Sequence, residues 1–392
     1  MPLLGPIFVR EWLTVPRRAR HYVTRSAYLG LLWVLALTTW QATVGWDRVA
    51  TIGDTSRFGL LLFEILVLYV QLPLLLFFAA LSAASAVAQE KDRRTFVLLL
   101  ITDLRNHEIV LGKLVGSLLQ IVFLLVGTMP ILAMLLLLGG VDAERVVQAV
   151  VILAAASLAA GSLGSLMALW RDKTFPALAL TVLFLVLYVC LVRVPAVLPV
   201  VLDWLPGMSS VADRLRLDQW PSIQLWLDPY LALQSVVDPP ARSALAIAPA
   251  YGFAATMTFL SILLNVWGMV RLRVWNPSGE PIIQREAPDA EAEEKDRLKA
   301  HAAPGPVRKV WANPILWREI RTRAYGRRPA LVKAAYVVVL ALVCYYALSG
   351  GKVAFAAAYG LVPVTILSLL LVASQAVTAI TSERDGGALD LL

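Results

Sequence analysis

The feature that most constrains this chain is a series of long runs with almost no charge. Eight of them can be drawn, at about 26–46, 59–88, 114–140, 146–169, 174–192, 244–270, 331–349 and 353–381. A helix needs about 20 apolar residues to cross the hydrocarbon core of a bilayer. In such a core every backbone amide must find its partner inside the protein, so runs of this length are read as helices. Only 16% of the residues are charged, against about 25% in an ordinary soluble domain. The expected fold class is an all-α polytopic membrane protein. Its first run, from Ser26 to Trp46, is too long for a cleaved leader and has no small-residue cleavage site behind it.

Charge placement gives an expected orientation. With the N-terminus in the cytoplasm, 27 of the 35 lysines and arginines fall in cytoplasmic segments. Leaving out the long 271–333 segment, the split is still 13 to 8. The net charge of +8 is therefore explained by positive-inside bias. Nucleic-acid binding is not expected, because the basic clusters adjoin apolar runs and lack aromatic residues placed for base stacking.

The chain also has internal structure. Residues 276–312 are rich in Pro, Ala and charge, and read as a flexible cytoplasmic linker. After it, Pro314, Ile315, Arg318, Glu319, Thr322 and Arg328 repeat Pro6, Ile7, Arg10, Glu11, Thr14 and Arg20 at a constant offset of 308. Further on, Glu383, Asp385, Leu391 and Leu392 repeat Glu90, Asp92, Leu98 and Leu99 at an offset of 293. Both copies start on the same expected side, so the repeat is parallel. The organisation expected is one unit over 1–275 and the first two spans of a second over 313–392. Because the last residues fall inside the second copy of the motif, a longer parent protein is also expected.

Residues 89–113 join the second and third runs. Phe96, Leu99 and Leu100 stand at helical spacing and give an apolar face. Glu90, Asp92, Arg93 and Arg94 supply a charged approach, and Gly112 and Lys113 mark re-entry. Pattern alone is compatible with an ordinary charged loop holding a few buried leucines. The segment resembles the cytoplasmic element of ABC-2-type transporter permeases, roughly E-R-E-x-G-T-L-E-x-L-L-x-T-P-L-x-x-x-E-I-x-x-G-K. The positions that carry the likeness are Glu90, Thr95, Leu98, Leu99, Thr102, Leu104, Glu108, Ile109, Gly112 and Lys113. Arg94 departs from the glycine and Asp103 from the proline, while the second copy has Gly387 where the first has Arg94.

The resemblance implies a six-helix permease unit of an exporter. It implies that Glu90, Asp92, Thr95, Leu98, Leu99, Thr102, Glu108, Gly112 and Lys113 couple to an ATPase, with Glu383, Asp385 and Gly387 as their counterparts. It also implies interfacial helices around Arg10, Glu11 and Trp12 and around Arg318 and Glu319. The apolar residues Ile7, Phe8, Trp12 and Val15, mixed with Arg10, Glu11, Arg17 and Arg18, suit a helix at the headgroup level. Residues 193–243, with Trp204, Trp220 and Trp226, read as the one long external loop, in which the family often has short interfacial helices.

The sequence has no GxxxxGK[ST] phosphate loop, since Gly112-Lys113 and Gly351-Lys352 lack the rest of the motif. Enzymatic activity is not expected of this chain, and neither is a cofactor or metal. ATP and Mg are expected in a separate P-loop ATPase subunit. The other expected partners are membrane lipids and a second permease unit, either in the same chain or as a homodimer. The expected location is the bacterial cytoplasmic (inner) membrane. Cys190 and Cys344 both lie in apolar runs, and His21, His107 and His301 form no metal-binding pair. Glu64, the one acid within a run, is a possible intramembrane polar site. The rival readings are a scaffold or sensor, and a secondary transporter. The latter would favour inverted repeats and midplane polar sites.

Overall fold

In the computed structural model, described residues are 5–14, 19–45, 51–171, 174–203, 220–239 and 248–276. They all belong to one compact unit of the chain. Among them there is no strand. The helices are α1 (Gly5–Thr14), α2 (Ala19–Thr43), α3 (Ile52–Glu64), α4 (Leu72–Asp92), α5 (Phe96–Ile101) and α6 (Asn106–Leu138). They continue as α7 (Ala143–Trp170), α8 (Thr174–Asp203), α9 (Trp220–Leu227), α10 (Pro229–Val237) and α11 (Pro249–Trp275). The linker, the 331–349 and 353–381 runs, and Arg318, Glu319, Glu383, Asp385 and Gly387 lie outside the described residues.

Five helical stretches are long and apolar enough to cross a membrane: Ile52–Asp92, Asn106–Leu138, Ala143–Trp170, Pro176–Arg193 and Pro249–Trp275. Each overlaps an expected run. Helix α2 has 25 residues and covers most of the first expected run. It is less apolar, with Thr38, Thr39, Trp40 and Gln41 near its end. Large apolar side chains point outward on α2 (Leu31, Trp33, Val34, Leu37) and on α11 (Phe259, Ile262, Leu263, Val266, Trp267, Val270). In water such faces would be a liability; against lipid tails they cost nothing. The chain is a multi-pass membrane protein.

The longest stretch, Ile52–Asp92, begins with a reciprocal cap. The Asp54 carboxylate accepts from the Thr51 backbone N–H at 3.1 Å, and the Asp54 N–H donates to Thr51 Oγ1 at 3.3 Å. Between α3 and α4 the helix widens to a π-helical segment, Ile65–Gln71. Pro73 follows within the first turn of α4, where it has no N–H to donate. The chain therefore stays helical through a proline that would break a regular ladder.

Small residues set the helix spacing. Ala79, Ala80, Ala83 and Ala84 on α4 are buried, as are Ala156, Ala160 and Gly164 on α7, and these two helices share an extended contact. A Cβ on Gly161 would press on Leu118 Cδ2 at 2.8 Å, so α6 also closes on α7. On the far end, a Cβ on Gly59 would meet Gly139 O at 2.6 Å. The main apolar core runs through α2, α3, α4, α6, α7 and α11 and includes Leu32, Leu62, Leu75, Leu124, Ile152 and Phe253. A second, smaller core holds Ile7, Ala88, Phe96, Leu100, Ile109, Leu169 and Leu272.

The 193–243 segment differs from a plain loop. Helix α8 continues to Asp203, and α9 and α10 form two short helices. Their junction is fastened by Asp228, which is 1% exposed. Its carboxylate accepts from Arg193 Nε at 2.7 Å and from the N–H groups of Tyr230 and Leu231. Gln224 Nε2 donates to Val192 O, and Thr256 Oγ1 donates to Trp226 O. Asp228 thus caps α10 and neutralises Arg193 at once, a double duty with no short-range sequence signal.

Candidate functional site

Helix α4 ends in a Schellman turn. The Arg94 N–H donates to Lys91 O at 2.9 Å and the Thr95 N–H to Glu90 O at 3.0 Å. This closure needs a left-handed residue after the cap, and Arg94 takes it with φ +59°. Arg94 is the one non-glycine residue with positive φ among the described residues. The departure from glycine at Arg94 thus falls where glycine would be free of strain. Thr95 Oγ1 adds a bond to Glu90 O.

The chain then turns into α5. Phe96 and Leu100 are buried in the smaller core and Leu99 packs beside them. Leu98 is 63% exposed and Ile101 67% exposed, on the opposite side. The short helix therefore has one apolar face spent on the protein and two large apolar side chains left bare. Thr102 Oγ1 donates to Leu99 O at 2.7 Å and ends the helix. Glu108, in the first turn of α6, accepts from the Arg105 N–H at 2.9 Å and caps that helix.

Helix α1 packs along the start of α6, in the same direction. A Cβ on Gly5 would stand 3.0 Å from Glu108 Cβ, and one on Gly116 would stand 3.0 Å from Glu11 Cβ. That close approach brings four charged side chains together. Lys113, 5% exposed, donates to the Glu90 carboxylate. Glu11 lies 3.8 Å from Lys113 and 3.0 Å from Arg10, and Arg10 lies 3.8 Å from Glu90. Each carboxylate faces both cations, so the cluster is neutral and links α1, α4 and α6 across three separate parts of the chain. Glu90 Oε2 is enclosed and accepts no hydrogen bond.

Neighbouring helices are tied to the same region. Lys91 Nζ donates to Leu169 O at 2.6 Å and Arg171 O at 2.9 Å, satisfying carbonyls at the end of α7. Asp92 accepts from the N–H and the hydroxyl of Thr174 at the start of α8. Asn106 Nδ2 donates to Met269 O at 3.0 Å, and Arg273 Nε donates to Asn106 Oδ1 at 3.0 Å, joining α6 to α11.

Of the residues singled out in the sequence, Arg10, Glu11, Glu90 and Lys113 meet in one cluster, and Glu108 sits beside α1. Gly112 is buried next to it. Asp92, Thr95, Leu98, Leu99 and Thr102 belong to the same turn–helix–turn without joining the ion pairs. Trp12 is 52% exposed and tilts against Phe8, with ring centroids 5.9 Å apart. Glu64 is elsewhere: it ends α3, partly buried, 26 residues before Glu90 in the same helical stretch. That is on the order of 40 Å at the usual helical rise. Trp204 lies outside the described residues.

Sequence reasoning missed the polar contacts inside the bundle. Gln71, fully buried in the π segment, donates to Tyr28 OH at 3.2 Å, and Tyr28 OH pairs with Thr128 Oγ1 at 2.9 Å. Ser162, Ser261 and Asn265 form a second buried set between α7 and α11. A polar residue within an apolar run was the available signal for Gln71 and Asn265. Among the described residues no group of three or more His, Cys, Asp or Glu is placed to hold a metal ion.

No protein-family model matches this chain, and no curated protein matches it.

Proposed function

We propose that this chain is the membrane subunit of an ABC-2-type exporter, driven by a separate cytoplasmic P-loop ATPase. The observation that carries the reading is the α4–α5–α6 element. It offers Leu98 and Ile101 to a partner while its other face is locked into the protein. Its position between two apolar helical stretches is the one at which the sequence resembles the family's coupling segment.

The geometry supplies a route for a push on α5. Glu90 at the end of α4 and Lys113 in the second turn of α6 flank the element and are bonded to each other. Glu11 carries the connection to α1. Lys91 and Asp92 carry it to the ends of α7 and α8. A displacement of α5 therefore acts on several apolar helices together rather than on one. In this reading the N-terminus is cytoplasmic, ATP binding closes the partner ATPases, and a second permease unit completes the path for substrate. The bacterial inner membrane is the proposed location.

The test is retention of a P-loop ATPase by the tagged full chain in mild detergent. Scrambling residues 90–108 should abolish it, as should Leu98→Glu combined with Ile101→Glu. Undiminished retention by a folded scrambled chain would refute the coupling assignment.

A further inference from the structure

Helices α1 and α2 both run alongside α6 in the same direction. Gly5 faces Glu108, Glu11 faces Gly116, Leu29 Cδ2 would touch a Cβ on Gly127 at 3.6 Å, and Tyr28 bonds Thr128. Arg25 follows the same register. Its guanidinium carbon lies 4.1 Å from the centre of the Phe123 ring and 5.8 Å from that of Tyr22. Phe123 is ten residues beyond Lys113, which at helical rise is about 15 Å further into the bundle. Arg25 is therefore a cation held well inside the apolar span of α6.

Among the described residues it is also uncompensated. Neither Nε nor Nη2 makes a hydrogen bond, although both are enclosed. No described carboxylate lies within ion-pairing distance of it, whereas every other enclosed cation of the described residues has one or has backbone carbonyls. The aromatic contacts help, but a ring face replaces only part of the lost hydration. Charges at such depth are expensive and functional by default.

The surroundings define what could complete it. The side chain is only partly covered. Tyr22 and Val23 on α2 are exposed apolar side chains, as are Val122 and Val126, which flank Phe123 in the sequence of α6. A helical arginine leans toward the N-terminal end of its helix. A ligand that fits has an anionic head for the guanidinium fork and apolar chains for the flanking surface. A phosphate offers two oxygens to such a fork.

We propose that Arg25 is a binding site for the phosphate head group of an anionic membrane lipid, seated between α2 and α6 with its acyl chains against Val122 and Val126. The site does not depend on the ATPase reading and is tested without it.

The test uses the full chain, delipidated in a neutral detergent, with the thermal unfolding midpoint followed by intrinsic fluorescence. Phosphatidylglycerol added to saturation should raise the midpoint by about 5 °C. The rise should vanish in Arg25→Gln and persist in Arg57→Gln, which alters an exposed arginine on α3. Arg25→Lys keeps the charge without the fork and should need several-fold more lipid for the same rise. Should Arg25→Gln not fold, Arg25→Lys decides: a weaker response supports the site, and an unchanged one overturns it. A full response in folded Arg25→Gln also overturns it. Millimolar inorganic phosphate should leave the wild-type midpoint unchanged; an equal rise with phosphate alone would overturn the lipid assignment.

Discussion

Lys113 and Arg25 are both cations set among apolar helices, and the chain treats them in opposite ways. Lys113 meets Glu90 directly and Glu11 at 3.8 Å, with Arg10 balancing the second carboxylate. Arg25 has two aromatic rings and enclosed nitrogens without acceptors. The first arrangement fixes three helices to one another. The second leaves an attraction that the described residues do not satisfy. A closed ion pair is the chemistry of a joint, and an open cation is the chemistry of a receptor.

The largest effect is expected at Glu90. Glu90→Gln removes the main partner of an enclosed cation, which typically costs about 3–5 kcal/mol. Unfolding of the purified chain should show that loss, and Glu90→Gln with Lys113→Met should recover most of it. A double variant as unstable as the single one would mean that the carboxylate matters for something other than Lys113. The opposite sign is expected at the other cation. Arg25→Leu, measured without lipid, should stabilise the chain by about 1–2 kcal/mol, because an unpaired charge leaves the interior.

Smaller effects sharpen the joint. Arg94→Gly relieves a left-handed side-chain residue and should stabilise by about 1 kcal/mol. Loss of stability there would mean that the Arg94 side chain holds the element in a way its backbone does not explain. Glu11→Gln should cost no more than about 1 kcal/mol, since Glu11 stands 3.8 Å from Lys113 whereas Glu90 is bonded to it directly.

The apolar runs were legible because lipid tails impose a length and exclude charge, and six of them overlap described helices. What the runs could not show was how far helices extend past the membrane requirement. The stretch Ile52–Asp92 outgrows its run at both ends, and α8 continues to Asp203. Those extensions are decided by capping and by contacts with other helices, as at Thr51, Lys91 and Asp228.

For the candidate site, the sequence singled out Arg10, Glu11, Glu90 and Lys113 without showing that they meet in one cluster. Glu90 and Lys113 stood out as ends of a motif, but their direct bond depends on a turn closed by Arg94. Arg94 stands where the resembled motif has glycine, and its φ of +59° is a conformation that glycine adopts without strain. The packing of Gly5 on Glu108 and of Gly116 on Glu11 is a long-range fact with no local pattern. In the sequence Arg25 is a basic residue directly ahead of the first apolar run. Only its register with Phe123 moves it inward.

In the proposed function, α5 is the contact for a cytoplasmic ATPase. A photo-crosslinking residue placed at Leu98 or Ile101, activated in native membranes, tests it most directly. An adduct containing a P-loop ATPase is expected at these two positions and none at the outward-facing Leu31 of α2. Adducts with lipid alone at Leu98 and Ile101, or an ATPase adduct of equal yield at Leu31, would contradict it.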